Sequence, residues 1–330
     1  MAGGEISGLG GESVGKSRGG GKAATAKLPT VLELIRLSTQ YLSQCGVATP
    51  RLDAEVLLAD LLGLTRLDLY VQFDRPLVSA EVDEYRRRIV ARGRRVPVAL
   101  IIGKKEFFGL ELLVRPGVLI PRPETEVVVE EALRLLGAAE GRPGPARLEI
   151  ADIGSGTGAI GLALASRLPQ ARIWAIDLSP VAREVTAENA RRLGLAEQVK
   201  VLAGDWLRDP DTGQPLKLPD LDLVVSNPPY IPTGELSGLQ PEITRYEPAL
   251  ALDGGPDGLA AYRRMFPQVV PVLKPGGLVV VEIGAGEAAG VRQVGEAAGL
   301  QFLRVRPDLA GHERVVSFVR PAAGPARERA

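Results

Sequence analysis

Apolar residues recur at helical spacing through the first part of the chain and then give way to short apolar runs of strand length. Val31, Leu34, Ile35, Tyr41, Leu42 and Cys45 fall on one helical face, with Thr30 and Glu33 spaced as a capping box and Gly46 as a stop. Thr49 and Pro50 open a second helix that runs through Val56, Leu57, Leu61 and Leu62 to Gly63. Ser79, with Glu81 and Asp83 in the first turn, opens a third through Tyr85 and Ile89. Residues 29–95 are therefore expected to form a small helical bundle whose stripes are buried helix against helix.

The period changes near residue 96. Glu106–Leu110 and Leu112–Val114 read as strands of a β-hairpin linker over 96–118. Leu119-Ile120-Pro121-Arg122-Pro123-Glu124-Thr125-Glu126 then leads into a helix to about Leu136, its prolines fixing the approach and its acidic residues suiting the first turn. Gly141–Pro145 makes a break. Beyond it Leu148–Ile153, Ile173–Ile176, Val199–Leu202, Leu221–Val225 and Leu278–Ile283 alternate with helical patterns, which predicts a parallel sheet covered on both faces. Phe302–Val305 and Val315–Val319 flank a turn and form an antiparallel edge. The expected fold is α/β: a seven-stranded, doubly wound, Rossmann-like domain over 119–322, mostly parallel with an antiparallel C-terminal edge, preceded by the helical bundle.

Residues 1–28 and 323–330 hold almost no large apolar side chains and are expected to be disordered tails. Gly11–Ser17 is superficially like a phosphate loop but lacks the spacing and a preceding strand. Forty Lys and Arg balance forty Asp and Glu, so no global field draws the chain to nucleic acid or anionic lipid. No apolar run is long enough to span a membrane and no secretory signal is visible, which predicts a cytoplasmic protein. The chain is read as a monomer without direct contact to nucleic acid or membrane. Cys45 is the sole cysteine and His312 the sole histidine, so neither a tetrahedral zinc site nor a Ser/His/Asp relay is supported, and no metal is expected. Cys45 reads as packing and His312 as part of a surface loop. Arg86, Arg87, Arg88, Arg92, Arg94 and Arg95 on the third helix read as a solvated basic face or, alternatively, as a docking surface for an RNA-associated partner.

The chemistry begins where Leu148–Ile153 runs into Gly154-Ser155-Gly156-Thr157-Gly158, at the strand end where doubly wound sheets bind ligands. Alone, the loop is a weak signal: a dinucleotide fold uses a similar one, and a glycine turn with no ligand is the lesser alternative. Asp177, closing the next strand, places a carboxylate where it can accept both hydroxyls of a ribose. After the third strand, Asp205 offers an acceptor for an adenine amino group and Trp206 a cover for the purine face; a helix cap and a core ring are the alternatives. Ser226-Asn227-Pro228-Pro229-Tyr230 ends Leu221–Val225, and Pro229 holds Pro228 extended. The Asn227 amide oxygen and Pro228 carbonyl can then accept both hydrogens of an NH₂ group, with Pro229 beside them and Tyr230 as a flat wall.

These residues resemble the seven-strand S-adenosylmethionine methyltransferases that modify planar nitrogens, marked by Asn/Asp/Ser-Pro-Pro-Tyr. More closely, the chain resembles the release factor glutamine methyltransferase family, PrmC or HemK. That resemblance spans about residues 30–320 and includes Ile120–Glu126, the glycine loop, Asn227–Ile231 and Glu247–Leu252 leading into Gly255–Leu259. The Arg-Pro-Glu-Thr-Glu segment is its specific part, because nucleobase methyltransferases carry the later motif without it. It implies S-adenosyl-L-methionine as cofactor, with contacts at Gly154–Gly158, Asp177, Trp206 and Asn227. It also implies a substrate glutamine held by Asn227, Pro228, Pro229 and Tyr230, with peptide chain release factors as partners and the glutamine of their Gly-Gly-Gln loop as target. Rival readings are a nucleobase amino group as the acceptor, and an NAD-binding protein, which leaves Asn227–Tyr230 without a purpose.

Overall fold

Thr30 caps the first helix as its spacing predicts: its hydroxyl accepts the Glu33 N–H at 3.3 Å while the Glu33 carboxylate accepts the Thr30 N–H at 2.8 Å. The computed structural model describes residues 28–138 and 147–322, so the expected tails, apart from Leu28, and the break at Gly141–Pro145 lie outside the described residues. Helices α1 (Val31–Gln44), α2 (Pro50–Leu62), α3 (Arg66–Val71), α4 (Ser79–Gly93) and α5 (Val98–Ile102) make the N-terminal bundle. Val31, Leu34, Leu42, Leu57, Leu58, Tyr85 and Ile89 fill its core.

Three details differ from expectation. The α4 cap is Val78, not Ser79, because the Glu81 carboxylate reaches back to the Val78 N–H at 2.9 Å. Helix α5 occupies the start of the expected hairpin linker. The run Glu106–Leu110 is split between β1 (Lys104–Phe107) and β2 (Leu110–Leu113), since Phe108 and Gly109, at φ 52° and 79°, form the two-residue left-handed turn that joins antiparallel strands.

The arginines of α4 are largely engaged in ion pairs rather than forming a free basic face. Arg88 meets Asp60 at 2.7 Å, Arg87 meets Glu84 at 2.5 Å, and Arg92 is buried between Asp53 at 2.6 Å and Glu242 at 2.8 Å. Arg95 adds a second grip on Glu242 at 2.5 Å. Glu242 belongs to the C-terminal part of the chain, so these pairs fix the bundle against it.

After a short 3₁₀ turn at Pro123–Thr125, α6 (Glu126–Leu135) precedes the sheet strands β3 (Glu149–Ile153), β4 (Arg172–Asp177), β5 (Val199–Ala203), β6 (Leu221–Ser226), β7 (Leu273–Glu282), β8 (Gln301–Pro307) and β9 (Glu313–Val319). Between them run α7 (Ala159–Arg167), α8 (Pro180–Arg192), α9 (Pro241–Tyr246), α10 (Ala260–Val272) and α11 (Ala288–Ala297). The strand order is β5-β4-β3-β6-β7-β9-β8, parallel from β5 to β7, with β9 antiparallel to both its neighbours. The order reverses between β3 and β6, which opens a crevice beyond their C-terminal ends. Ile150, Leu223 and Val225 pack toward one face against α6 and α7; Ala151, Val224 and Val281 pack toward the other against α10 and α11. Both faces are covered, which is why these strands read as continuous apolar runs. Among the described residues, no helix is long and apolar enough to cross a membrane.

Candidate functional site

Beyond β3 the chain turns through Gly154, Gly156 and Gly158 at φ 73°, 57° and 82°, backbone conformations that side chains other than glycine seldom adopt. Gly154 and Ser155 donate their N–H groups to the Ile176 carbonyl at 2.8 and 3.1 Å, tying the loop to the end of β4. Gly156 donates to Asp177 Oδ2 at 2.8 Å, and Ser179 donates to Oδ1 of the same carboxylate at 2.8 Å. Burial raises the Asp177 carboxyl above its ordinary range, opposed by those two backbone donors and by Arg183. The loop is braced from behind by Asn189, which bonds the Thr157 carbonyl at 2.9 Å and both backbone groups of Leu113 on the hairpin.

Ser226 Oγ donates to the Ile153 carbonyl at 2.7 Å, so the ends of β3 and β6, and with them the glycine loop and Asn227, are held side by side. Asn227 Nδ2 donates to Thr125 Oγ1 at 3.1 Å. Gly254 presses against the backbone of Tyr230, where an added Cβ would lie 2.6 Å from its carbonyl carbon, and Gly254 N–H donates to the Ile231 carbonyl at 2.8 Å. Arg122 approaches both Glu247 oxygens at 2.7 Å, joining the segment before α6 to the one after α9. Burial raises the Glu247 carboxyl and the Arg122 guanidinium opposes it.

These elements surround one cleft of about 600 Å³, a size ordinary for a site that encloses a small molecule. Gly154, Ser155, Gly156, Thr157, Asp177, Asp205, Trp206, Asn227, Pro228 and Pro229 all line it, as do Arg122 and Thr125. Trp206 has φ 59°, uncommon for a bulky residue, in a tight turn closed by the Asp205 N–H on the Arg208 carbonyl at 2.8 Å. Asp205 receives Arg264 at 2.6 Å through Oδ2 rather than capping a helix.

Two predicted residues stand apart from the lining. Gly158 turns the chain into α7, where an added Cβ would meet Leu162 Cδ1 at 2.8 Å. Tyr230, expected as a wall, directs its hydroxyl to Glu282 Oε1 at 3.2 Å, and burial raises its phenol well above the usual range. Sequence reasoning assigned no role to Thr125, Glu247 or Glu282. Thr125 lies within Ile120–Glu126 and Glu247 opens Glu247–Leu252, whereas Glu282, buried at the end of β7, reads as strand. Cys45 packs beside the bundle core, and His312 lies exposed in the turn between β8 and β9, as read.

Two family models match the chain: the PrmC N-terminal domain over residues 33–103 and the methyltransferase small domain over residues 138–239. A release factor glutamine methyltransferase of Moorella thermoacetica is 43% identical over 286 residues, 86% of this chain and 96% of the relative. Proteins of the same name from Geobacter sulfurreducens and Caulobacter vibrioides are 41% and 42% identical, covering 87% and 90% of this chain and 95% and 99% of theirs. With a matched bundle, a matched glycine loop and relatives aligned along nearly their whole length, the chain belongs to the release factor glutamine methyltransferase family.

Proposed function

We propose that the cleft takes S-adenosyl-L-methionine and that Asn227 and Pro228 hold the side-chain amide of a glutamine, in the Gly-Gly-Gln loop of peptide chain release factors, for methylation at N5. The observation that carries this reading is the hydrogen bond from Ser226 to Ile153. It sets an amide-gripping motif and a nucleoside-type loop on the same cleft, as methyl transfer between two bound groups requires.

The residues present fit the donor. Each Asp177 oxygen accepts one backbone N–H and keeps a lone pair for a ribose hydroxyl. Trp206 and the free oxygen of Asp205 suit an adenine, and the glycine loop allows close approach of backbone to ligand. When bound, the donor supplies a methyl group already activated on a sulfonium. The chain's task is the acceptor, whose amide nitrogen shares its lone pair with the carbonyl. With Asn227 Nδ2 engaged by Thr125, its Oδ1 is left to the cleft beside the Pro228 carbonyl. Two acceptors on the glutamine NH₂ favour a nitrogen that moves toward tetrahedral geometry and fix its direction. Placement of this kind supplies on the order of 7–11 kcal/mol. Tyr230 acts by holding this stretch through Glu282. The enzyme is read as a cytoplasmic monomer, with the bundle recognising the substrate protein rather than nucleic acid.

The test is to incubate the protein with labelled donor and, separately, purified release factor, tRNA, rRNA and DNA, and to locate the label by mass spectrometry. Label on the release factor glutamine is expected; label on a nucleobase with none on the release factor overturns the reading.

A further inference from the structure

Asn227 can serve as an acceptor only if its amide keeps one orientation, and its immediate neighbour does not secure that. A threonine hydroxyl both donates and accepts, so Thr125 tolerates either end of the amide. The direction must come from behind it. Glu282 stands there, at the end of β7, almost fully buried. Its Oε1 accepts the Tyr230 hydroxyl at 3.2 Å, and the Thr125 hydroxyl favours the charged form of the same carboxylate. Oε2 is buried with no hydrogen-bond partner among the described residues, a strong sink for a nearby hydroxyl proton.

We propose that Thr125 is a positioning residue for methyl transfer: the Glu282 carboxylate draws the Thr125 hydroxyl proton, the Thr125 oxygen therefore accepts Asn227 Nδ2–H, and Asn227 Oδ1 is turned to the cleft. This rests on the glutamine-methylation reading for its consequence in turnover, but not for the chain of hydrogen bonds itself. Protonating Glu282 reverses the chain. Its O–H donates to Thr125, Thr125 donates to Asn227 Oδ1, and the amide presents N–H groups where acceptors are needed.

The groups that face Glu282 are Thr125 and Glu124 before α6, Tyr230 after β6, Arg314 on β9, and Tyr262 on α10, whose hydroxyl bonds the Glu282 carbonyl at 2.8 Å. Burial pushes the carboxyl up to about 7, with Thr125, Arg314 and Tyr230 pulling it down and Glu124 pushing it up. The reversal therefore falls within the range where enzymes work. Turnover is expected to fall on the acid side of that value.

Asn189 and Asn227 are the only two asparagines in the sequence, which makes the chain directly observable. In full-length protein selectively labelled with ¹⁵N-asparagine, one side-chain amide pair, assigned to Asn227 by its loss in N227A, is expected to titrate near neutral pH. It should stop titrating in T125V and E282Q. In E282Q the Tyr230 hydroxyl claims the glutamine oxygen, so the NH₂ group faces Thr125 and mimics protonated Glu282 at every pH. With release factor as substrate, T125V and E282Q should lower kcat about 10- to 100-fold, leaving donor affinity by calorimetry near that of the parent. T125S should recover most of the loss, and E282Q should lack the acid limb. An Asn227 amide that does not titrate in the parent, or still titrates in T125V, overturns the proposal, as does a T125V enzyme with parental kcat. A parent that leaves release factor unlabelled while its Asn227 amide titrates overturns the substrate reading instead.

Discussion

The Gly156 N–H meets Asp177 Oδ2 at 2.8 Å, so the turn after β3 and the end of β4 share one hydrogen bond at the edge of the cleft. Asp177 thus shapes the loop and lines the cleft, at the place proposed for the donor's ribose. Asp177→Ala should weaken donor binding about 10- to 100-fold, the value of a hydrogen bond to a charged group, measured by calorimetry. Because burial raises this carboxyl, donor affinity should be lost on the acid side at a higher pH than for an ordinary aspartate. An unchanged Kd in the variant removes Asp177 from the site.

Asn227 lines the same cleft but has a different proposed duty, gripping the acceptor. Asn227→Ala should reduce kcat by about two to three orders of magnitude, as loss of one preorganised polar partner does, with donor affinity within a few fold of the parent. Single-turnover kinetics alongside calorimetry separates the two effects. Near-normal turnover would contradict the assigned grip.

The strands, the glycine loop and the Asn227 motif were legible because each is written in consecutive residues: an apolar run, then the polar or glycine residues that end it. The order of the strands and the insertion of β9 between β7 and β8 follow from pairing across the chain, which periodicity does not encode. Helices α3, α5 and α9 span six residues or fewer, too short for a period to show. The arginines of α4 looked like a basic face because their partners Asp53, Asp60 and Glu242 lie far away in sequence. Glu282 was hidden for a related reason: a carboxylate ending a buried strand is indistinguishable from a solvated one until its neighbours are known.

Asp152, just before the glycine loop, should make the protein less stable as pH rises. Burial pushes its carboxyl up to about 7; the Gly161 N–H at 2.9 Å lowers it and the Asp177 charge raises it. Its Oδ1 is buried without a partner. Below the ordinary aspartate range both folded and unfolded states hold the proton. Between that range and about 7 the unfolded chain ionises while the folded one does not, so stability falls with rising pH. Asp152→Asn keeps an acceptor for Gly161 without the charge. It should gain roughly 1–4 kcal/mol at about pH 8 and nothing near pH 4, by urea denaturation. Glu282 and Glu287, also raised to about 7 by burial, will leave the variant some of the slope.

Glu242 in α9 holds Arg92 at 2.8 Å and Arg95 at 2.5 Å, and these pairs join the N-terminal bundle to the segment that follows Asn227–Tyr230. Burial alone would raise its carboxyl, but hydrogen bonds from Arg95 and Arg92 bring it down to about 2. A carboxyl depressed in the folded state contributes stability above the ordinary glutamate range and loses it as pH falls toward the folded value. Glu242→Gln should therefore destabilise the protein at neutral pH by about 3 kcal/mol, the lower end of the cost of breaking a buried ion pair, since Asp53 still neutralises Arg92. The gap between variant and parent should narrow once pH drops below the glutamate range. Tyr246 adds a third tie, its hydroxyl on the Arg94 carbonyl at 3.0 Å, so the bundle should loosen rather than detach. If the bundle recognises the substrate protein, the variant's kcat/KM for release factor should fall while its donor Kd stays constant. A parental kcat/KM in a measurably destabilised variant would mean that the joint supports the fold without guiding the substrate.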